Sequence, residues 1–178
     1  PAEAQPAEIL SPEDIQQRLG EQSSATHIYL QFSQRGIDYG VSFQAIKQVW
    51  SKSTMEALAR VELPTESKSG QTSAQAASFL IHPVLLDAGP QLAGVTLADT
   101  GSSYLPVAIE KFRQYQAVPD ANGWVYAQPR ETNSVTEQAS VIVVLWLAEQ
   151  GQVLAQMEGL KLQQIDARTG ANEQVQWL

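Results

Sequence analysis

The chain has 178 residues, 43% of them hydrophobic, enough for one substantial core with less structured ends. A formal charge of −8 and a sequence pI near 4.7 exclude the basic surfaces that nucleic acid and anionic membranes attract. The absence of cysteine excludes disulfides, thiolate catalysis and cysteine metal sites, and only two histidines, His27 and His82, occur.

Residues 1–10, rich in Pro, Ala and Glu, read as a linker, and Ser11-Pro12-Glu13-Asp14 carries a helix start: a capping residue, then proline, then acids. A short helix to Gly20 is expected, so residues 1–22 are assigned to a linker and that helix. Residues 26–35 predict a second helix stopped by Gly36. After the turn 36–40, residues 43–50 alternate as a strand, and residues 56–63 alternate again across a turn at 51–53, which makes a hairpin. Residues 64–76 are small and polar and predict a mobile surface loop.

A long helix follows over residues 83–98, opened by Pro83 and carrying Pro90 inside it. Proline there removes one backbone bond and crowds the carbonyl of Leu86, so a bend beside Asp87 is expected. Strands are predicted over 104–117, 123–129, 140–149 and 153–164, and residues 166–178 read as a tail. Residues 141–147 are apolar at every position, as in a central strand covered on both faces, with the long helix as one cover. The layout is α+β, an antiparallel sheet wrapped around one helix, with residues 23–165 as the folded unit. The longest apolar run, 141–148, falls short of the roughly 20 residues that span a bilayer, and no basic-then-apolar leader opens the chain. A cytoplasmic setting without membrane or nucleic-acid partners is the expectation.

The chemistry concentrates in His82-Pro83-Val84-Leu85-Leu86-Asp87-Ala88-Gly89-Pro90-Gln91. On a helix, Asp87 and Gln91 are four residues apart and share a face within hydrogen-bonding reach. A carboxyl among Val84, Leu85, Leu86, Leu92 and Val95 is costly to bury ionised, and one held neutral can deliver a proton. The ordinary alternative is a carboxylate near a helix start, stabilised by the macrodipole. For His82, before a proline, capping or packing is the ordinary role, and His27 reads as a partly exposed helix residue. No glycine-rich phosphate loop, GxSxG or catalytic carboxylate pair occurs.

These residues resemble a known family. HPVLLDAGPQ is similar to the HPxLLDAxxQ signature of the C-terminal half of polyketide synthase dehydratase domains, and Gly36-Ile37-Asp38-Tyr39-Gly40-Val41-Ser42-Phe43-Gln44 resembles that family's GLxYGPxFQ segment. The spacing between them, Leu105-Pro106 and the last strand near Leu160-Lys161-Leu162 also match, so the resemblance covers about residues 25–165. It implies a hotdog fold, the second half of a double hotdog, and elimination of water from a 3-hydroxyacyl thioester carried on the phosphopantetheine of an acyl carrier protein. No other cofactor and no metal are implied.

In that family a histidine of the first half removes a proton and the aspartate of the second delivers one to the departing hydroxyl. Asp87 takes the aspartate position and Gln91 that of its orienting partner; Tyr39, Phe43, His82 and Leu86 are the candidate substrate-lining residues, the ordinary role of Tyr39 and Phe43 being core or turn packing. The expected partners are the acyl carrier protein, the N-terminal hotdog half, neighbouring synthase domains and a second copy in a homodimer. The chain departs from the pattern in three ways: HxxxGxxxxP is absent, Val41 stands where proline is usual, and Pro90 replaces an apolar residue. The base is therefore expected from outside this chain. Two rival readings stand beside the dehydratase: a non-catalytic structural or docking module, and an isomerase or cyclase using the same site.

Overall fold

The computed structural model describes residues 9–52, 56–68, 79–97, 103–118, 122–129 and 139–165. Helix α1 (Pro12–Leu19) starts as its sequence dictates, with the Ser11 hydroxyl accepting from the Asp14 backbone N–H at 3.2 Å. Helix α2 (Ala25–Gln34) is capped by Ser24 and closes two residues before Gly36. The chain then makes a 3-10 turn (Val41–Phe43) and, after the hairpin, a single helical turn α3 (Thr65–Lys68). The long helix α4 (Pro83–Thr96) runs through Pro90 as one continuous element.

The strands are β1 (Glu21–Ser24), β2 (Ile46–Lys52), β3 (Glu56–Val61), β4 (Ser103–Ala108), β5 (Lys111–Gln114), β6 (Gly123–Pro129), β7 (Ala139–Leu147) and β8 (Val153–Ile165). They form one sheet in the order β1-β2-β3-β6-β7-β8-β4, with β5 also pairing with β8, and every pairing is antiparallel. Strand β7 is central, as its unbroken apolar run requires. Ile142, Val144 and Trp146 face the cluster under α4, while Leu145 and Leu147 lie in a second cluster with Leu58, Trp124 and Val153. That second face is covered by Ile15 and Leu19 of α1, each contributing about 1.5–3 kcal/mol by its burial.

Helix α4 presents Val84, Leu85, Ala88, Leu92 and Ala93 to the sheet, an i, i+4, i+8 stripe with its neighbours. Gly89 lies on the same side for a steric reason. A Cβ there would overlap the Trp146 ring, meeting Cη2 at 2.7 Å, and would crowd Val144 Cγ1 at 3.0 Å. The indole cannot move aside: it is buried, and its Nε1 donates to the Leu85 carbonyl at 2.7 Å. Mid-helix glycine costs about 1 kcal/mol of propensity, and close seating of the helix on the ring outweighs that cost.

Several expectations change. The strand expected from Phe43 begins at Ile46, because the Phe43 N–H bonds back to the Gly40 carbonyl at 2.8 Å and the Gln44 side chain to the Tyr39 carbonyl at 2.9 Å, closing a local turn. The single strand expected over 104–117 is two, β4 and β5, because β8 is irregular where it faces them. Gly159, at φ 67, lies where the β7–β8 register shifts between Ile142 and Val144, and the β4 register shifts after Pro106. Strand β1 carries no apolar alternation to announce it; it is an edge strand of exposed and half-exposed polar residues. The loop expected over 64–76 begins with α3, its remainder from residue 69 lies outside the described residues, and the helix expected to 98 ends at Thr96.

Helix α1 is tied down by charge as well as by packing. Arg18 pairs with Glu56 of β3 and donates to the Tyr126 hydroxyl at 3.2 Å, while that hydroxyl donates to Glu56. Burial alone pushes the Glu56 carboxyl up, but the hydrogen bonds from Arg18 and Tyr126 outweigh it and hold the group below its ordinary value. Burial, then Glu56, pushes the Tyr126 phenol up to about 12.

Two tests follow from this packing. Gly89→Ala is expected to destabilise the protein by about 1–3 kcal/mol despite its better helix propensity, read by denaturant unfolding. A folded Glu56 value below the unfolded one means its stabilisation is complete above about 4.3 and lost as pH falls through the folded value. The gap in unfolding midpoint between wild type and Glu56→Gln, open near neutral pH, is therefore expected to close in acid; a gap that stays constant counts against the Arg18–Glu56–Tyr126 contact.

Candidate active site

The site is assembled where α2, the 3-10 turn and the second and third turns of α4 meet. The start of α4 is fixed by His82, whose Nδ1 accepts from the Val84 N–H at 3.2 Å. Nδ1 is therefore unprotonated and the neutral ring carries its proton on Nε2. With the ring buried and Phe79 edge-on at 5.6 Å, His82 fills the capping role that its position before Pro83 suggested.

With Pro83 as the first helical residue, Asp87 is the fifth, beyond the first turn in which the macrodipole acts strongly. The helix start therefore does not account for this carboxyl, and its side-chain partner does. Gln91 Nε2 donates to Asp87 Oδ2 at 2.8 Å, the i, i+4 contact that the sequence implied. Asp87 is half-buried, so the enclosure expected from its apolar neighbours is only partial.

Gln91 is the more deeply placed of the two, only 1% exposed, and its amide is fully used. Nε2 also donates to the Phe43 carbonyl at 3.1 Å, and Oε1 accepts from the Tyr29 hydroxyl at 3.0 Å. That hydroxyl in turn accepts from the Ile46 N–H at 3.1 Å. Phe43 thus contributes a backbone oxygen to the site, while its ring is 45% exposed. The solvated role usual for a helix glutamine is excluded by this burial.

Tyr39 lies beside the pair. Its ring packs edge-on against Phe32 at 5.2 Å and against Tyr29 at 6.0 Å. Burial, with the charge of Asp87 adding to it, pushes its phenol up to about 12. Leu86 is half-buried against the main cluster. Tyr29 is the residue that reading the sequence missed. The available signal was a hydroxyl-bearing ring on the apolar face of α2, between Ile28 and Phe32, where a phenol needs a buried partner; the partner itself, 62 residues away, was not legible.

His27 is exposed on α2, with its ring nitrogen 2.9 Å from Gln31 Nε2. It borders a polar groove of about 320 Å³ that shares no lining residue with the Asp87 network. Among the described residues, no group of three or more His, Cys, Asp or Glu is placed to hold a metal ion, and no helix is long and apolar enough to cross a membrane.

Comparison with known proteins agrees with this architecture. The family model described as the polyketide synthase dehydratase N-terminal domain matches residues 7–172. An inactive Asp-to-Asn mutant of the CurK dehydratase superposes with a TM-score of 0.74 at 31% identity, over 89% of this chain and 54% of that one. A trans-AT polyketide synthase dehydratase domain from Brevibacillus brevis shares the fold, with a TM-score of 0.78 at 24% identity over 92% of this chain and 55% of that one. A component polypeptide of the phenolphthiocerol/phthiocerol polyketide synthase of Mycobacterium tuberculosis is 25% identical over 151 residues, 82% of this chain and 8% of its own length. The chain spans about half the length of these dehydratase structures and a small part of the curated relative. The antiparallel sheet and central helix are those of dehydratase hotdogs, and a match that runs from before α1 to beyond β8 leaves one conclusion: the chain belongs to the polyketide synthase dehydratase family.

Proposed function

We propose that this chain is the acid-bearing, C-terminal hotdog half of a dehydratase within a polyketide synthase, acting on a 3-hydroxyacyl thioester held by an acyl carrier protein. The observation that carries the reading is a half-buried carboxyl, Asp87, whose Oδ2 is held by the amide of the buried Gln91. Hydroxide is a poor leaving group, so a donor positioned in this way matches what elimination demands. Asp87 gives its proton to the 3-hydroxyl, the C–O bond breaks with its electron pair and water departs. The proton on the carbon next to the carbonyl passes to an imidazole base from another part of the polypeptide, and its bonding pair forms the new double bond. CurK dehydratase is inactive as an Asp-to-Asn mutant and as a His-to-Phe mutant, as a two-residue acid–base mechanism requires.

The assignment to the C-terminal half differs from the wording of the matched model, which names an N-terminal domain. It rests on HPVLLDAGPQ, which supplies the acid, and on the absence of HxxxGxxxxP from the sequence. Two further observations support a missing second half. The chain covers little more than half of the dehydratases it resembles. The β4–β5 side of the sheet also leaves Leu105, Val107, Ile109 and Phe112 exposed by 41–55%, an apolar edge of the kind that another segment covers. On this reading Tyr39 and Leu86 line the acyl chain next to Asp87.

The test uses the polypeptide that carries this chain, with a 3-hydroxyacyl pantetheine thioester as substrate and loss of water followed by mass. Asp87→Asn keeps the shape of the side chain and cannot deliver a carboxylic proton, so a fall of about 10²–10⁴-fold is expected. Equal product from both proteins removes Asp87 from the chemistry. Absence of product from both, across several acyl lengths, favours the docking-module reading.

A further inference from the structure

The hydrogen bonds around Gln91 run in one direction only, and two obligate groups fix that direction. The Ile46 N–H can only donate, so the Tyr29 oxygen accepts from it and the phenol hydrogen is directed to Gln91. The Phe43 carbonyl can only accept, so the amide group facing it is the NH₂. Both ends demand the same orientation of the Gln91 amide, with Oε1 towards Tyr29 and Nε2 towards Phe43 and Asp87. The two Nε2 hydrogens are then both assigned, one to the Phe43 carbonyl and one to Asp87 Oδ2. Oδ2 is consequently an acceptor in every protonation state of the carboxyl.

We infer that Tyr29 is a positioning residue that locks the Gln91 amide, so that Asp87 is gripped through Oδ2 and carries its transferable proton on Oδ1. The word transferable rests on the dehydratase reading; the placement of the proton does not. The network suits a fixed donor. Tyr29 is 9% exposed, and burial raises its phenol well above the ordinary tyrosine range, so it remains a donor at any working pH. Without the phenol, the Ile46 N–H and Gln91 Oε1 lose a shared partner, and only the Phe43 carbonyl still holds the amide against turning about its last torsion. A turned amide sets an oxygen against Oδ2, and the proton is then drawn to Oδ2, between the two oxygens and away from substrate. The departing hydroxyl in productive geometry therefore approaches Oδ1.

Two measurements test this. The first is kinetic, in the parent polypeptide, with Tyr29→Phe, Gln91→Leu and the double variant, each first shown to unfold cooperatively. Tyr29→Phe keeps the ring and is expected to lower kcat by about 10- to 100-fold with KM held within about 2-fold, as misplacement of a reacting group does. Acting through Gln91, it adds no further loss in the Gln91→Leu background. Losses that multiply in the double variant, or a change confined to KM, overturn the positioning role. The second measurement needs no activity and no variant: neutron diffraction from deuterated wild-type crystals at a pH low enough to protonate Asp87. A deuteron on Oδ1 with two on Gln91 Nε2 is the expected map, and a deuteron on Oδ2 overturns the inference. If wild type turns over no 3-hydroxyacyl thioester, the dehydratase reading fails, and the neutron map still decides the proton's position.

Discussion

The buried amide of Gln91 is the constraint on which the other features of the site depend. It lies inside α4 with almost no exposure, and its partners come from α2, from the 3-10 turn, and through Tyr29 from the first residue of β2. A buried polar group left unpaired costs about 1–3 kcal/mol, so these elements cannot shift independently without incurring that penalty. Site geometry and local stability are thus coupled: the carboxyl of Asp87 is half-exposed, and the same contacts that satisfy the Gln91 amide hold it in place.

Rigidity behind the site comes from how α4 is seated. Gly89 lets the helix approach the Trp146 ring closely, and the indole N–H reaches across to the Leu85 carbonyl, two residues before Asp87. Trp146 belongs to the central strand, whose alternate residues fill two separate clusters, one beneath α4 and one beneath α1. An all-apolar strand is stable in water only when both faces are covered, so α1 with its Arg18–Glu56–Tyr126 contact is a structural requirement of β7. The opposite condition holds along β4 and β5, where large apolar side chains stay exposed at the edge of the sheet. Among the described residues, the face of the sheet under α1 is covered and the β4–β5 edge keeps large apolar side chains exposed.

That asymmetry parallels the chemistry. Eliminating water needs one group to take a proton and another to give one, and under the proposed reading Asp87 is the group that gives. Of the two histidines, one is committed through Nδ1 to capping α4, and the other is exposed on α2 beside a separate polar groove. The dehydratase structures that this chain resembles are longer than it is, and the chain covers 54–55% of each.

Much of this was legible in the sequence because its signals are local. Ser11-Pro12, Gly36, His82-Pro83 and the i, i+4 pair Asp87 and Gln91 each act over a few residues, and the structure has the expected element at each. The apolar run in β7 likewise pointed to a doubly covered strand, because its short length, its β-branched residues and the turn signals at either end favour a buried strand over a buried helix. What tertiary structure decided was everything that depends on a partner distant in sequence. Strand β1 is polar and exists because it pairs with β2; β4 and β5 separate because β8 is irregular opposite them; Gly89 is explained only by Trp146. Tyr29 is the clearest case. By itself it is one more aromatic residue on a helix face, and its importance arises because folding brings its hydroxyl to Gln91 and to the backbone of Ile46. Sequence determined that Asp87 and Gln91 share a helix face; the fold decided which way their hydrogen bonds point, because that direction is set by obligate donors and acceptors that only the folded chain brings together.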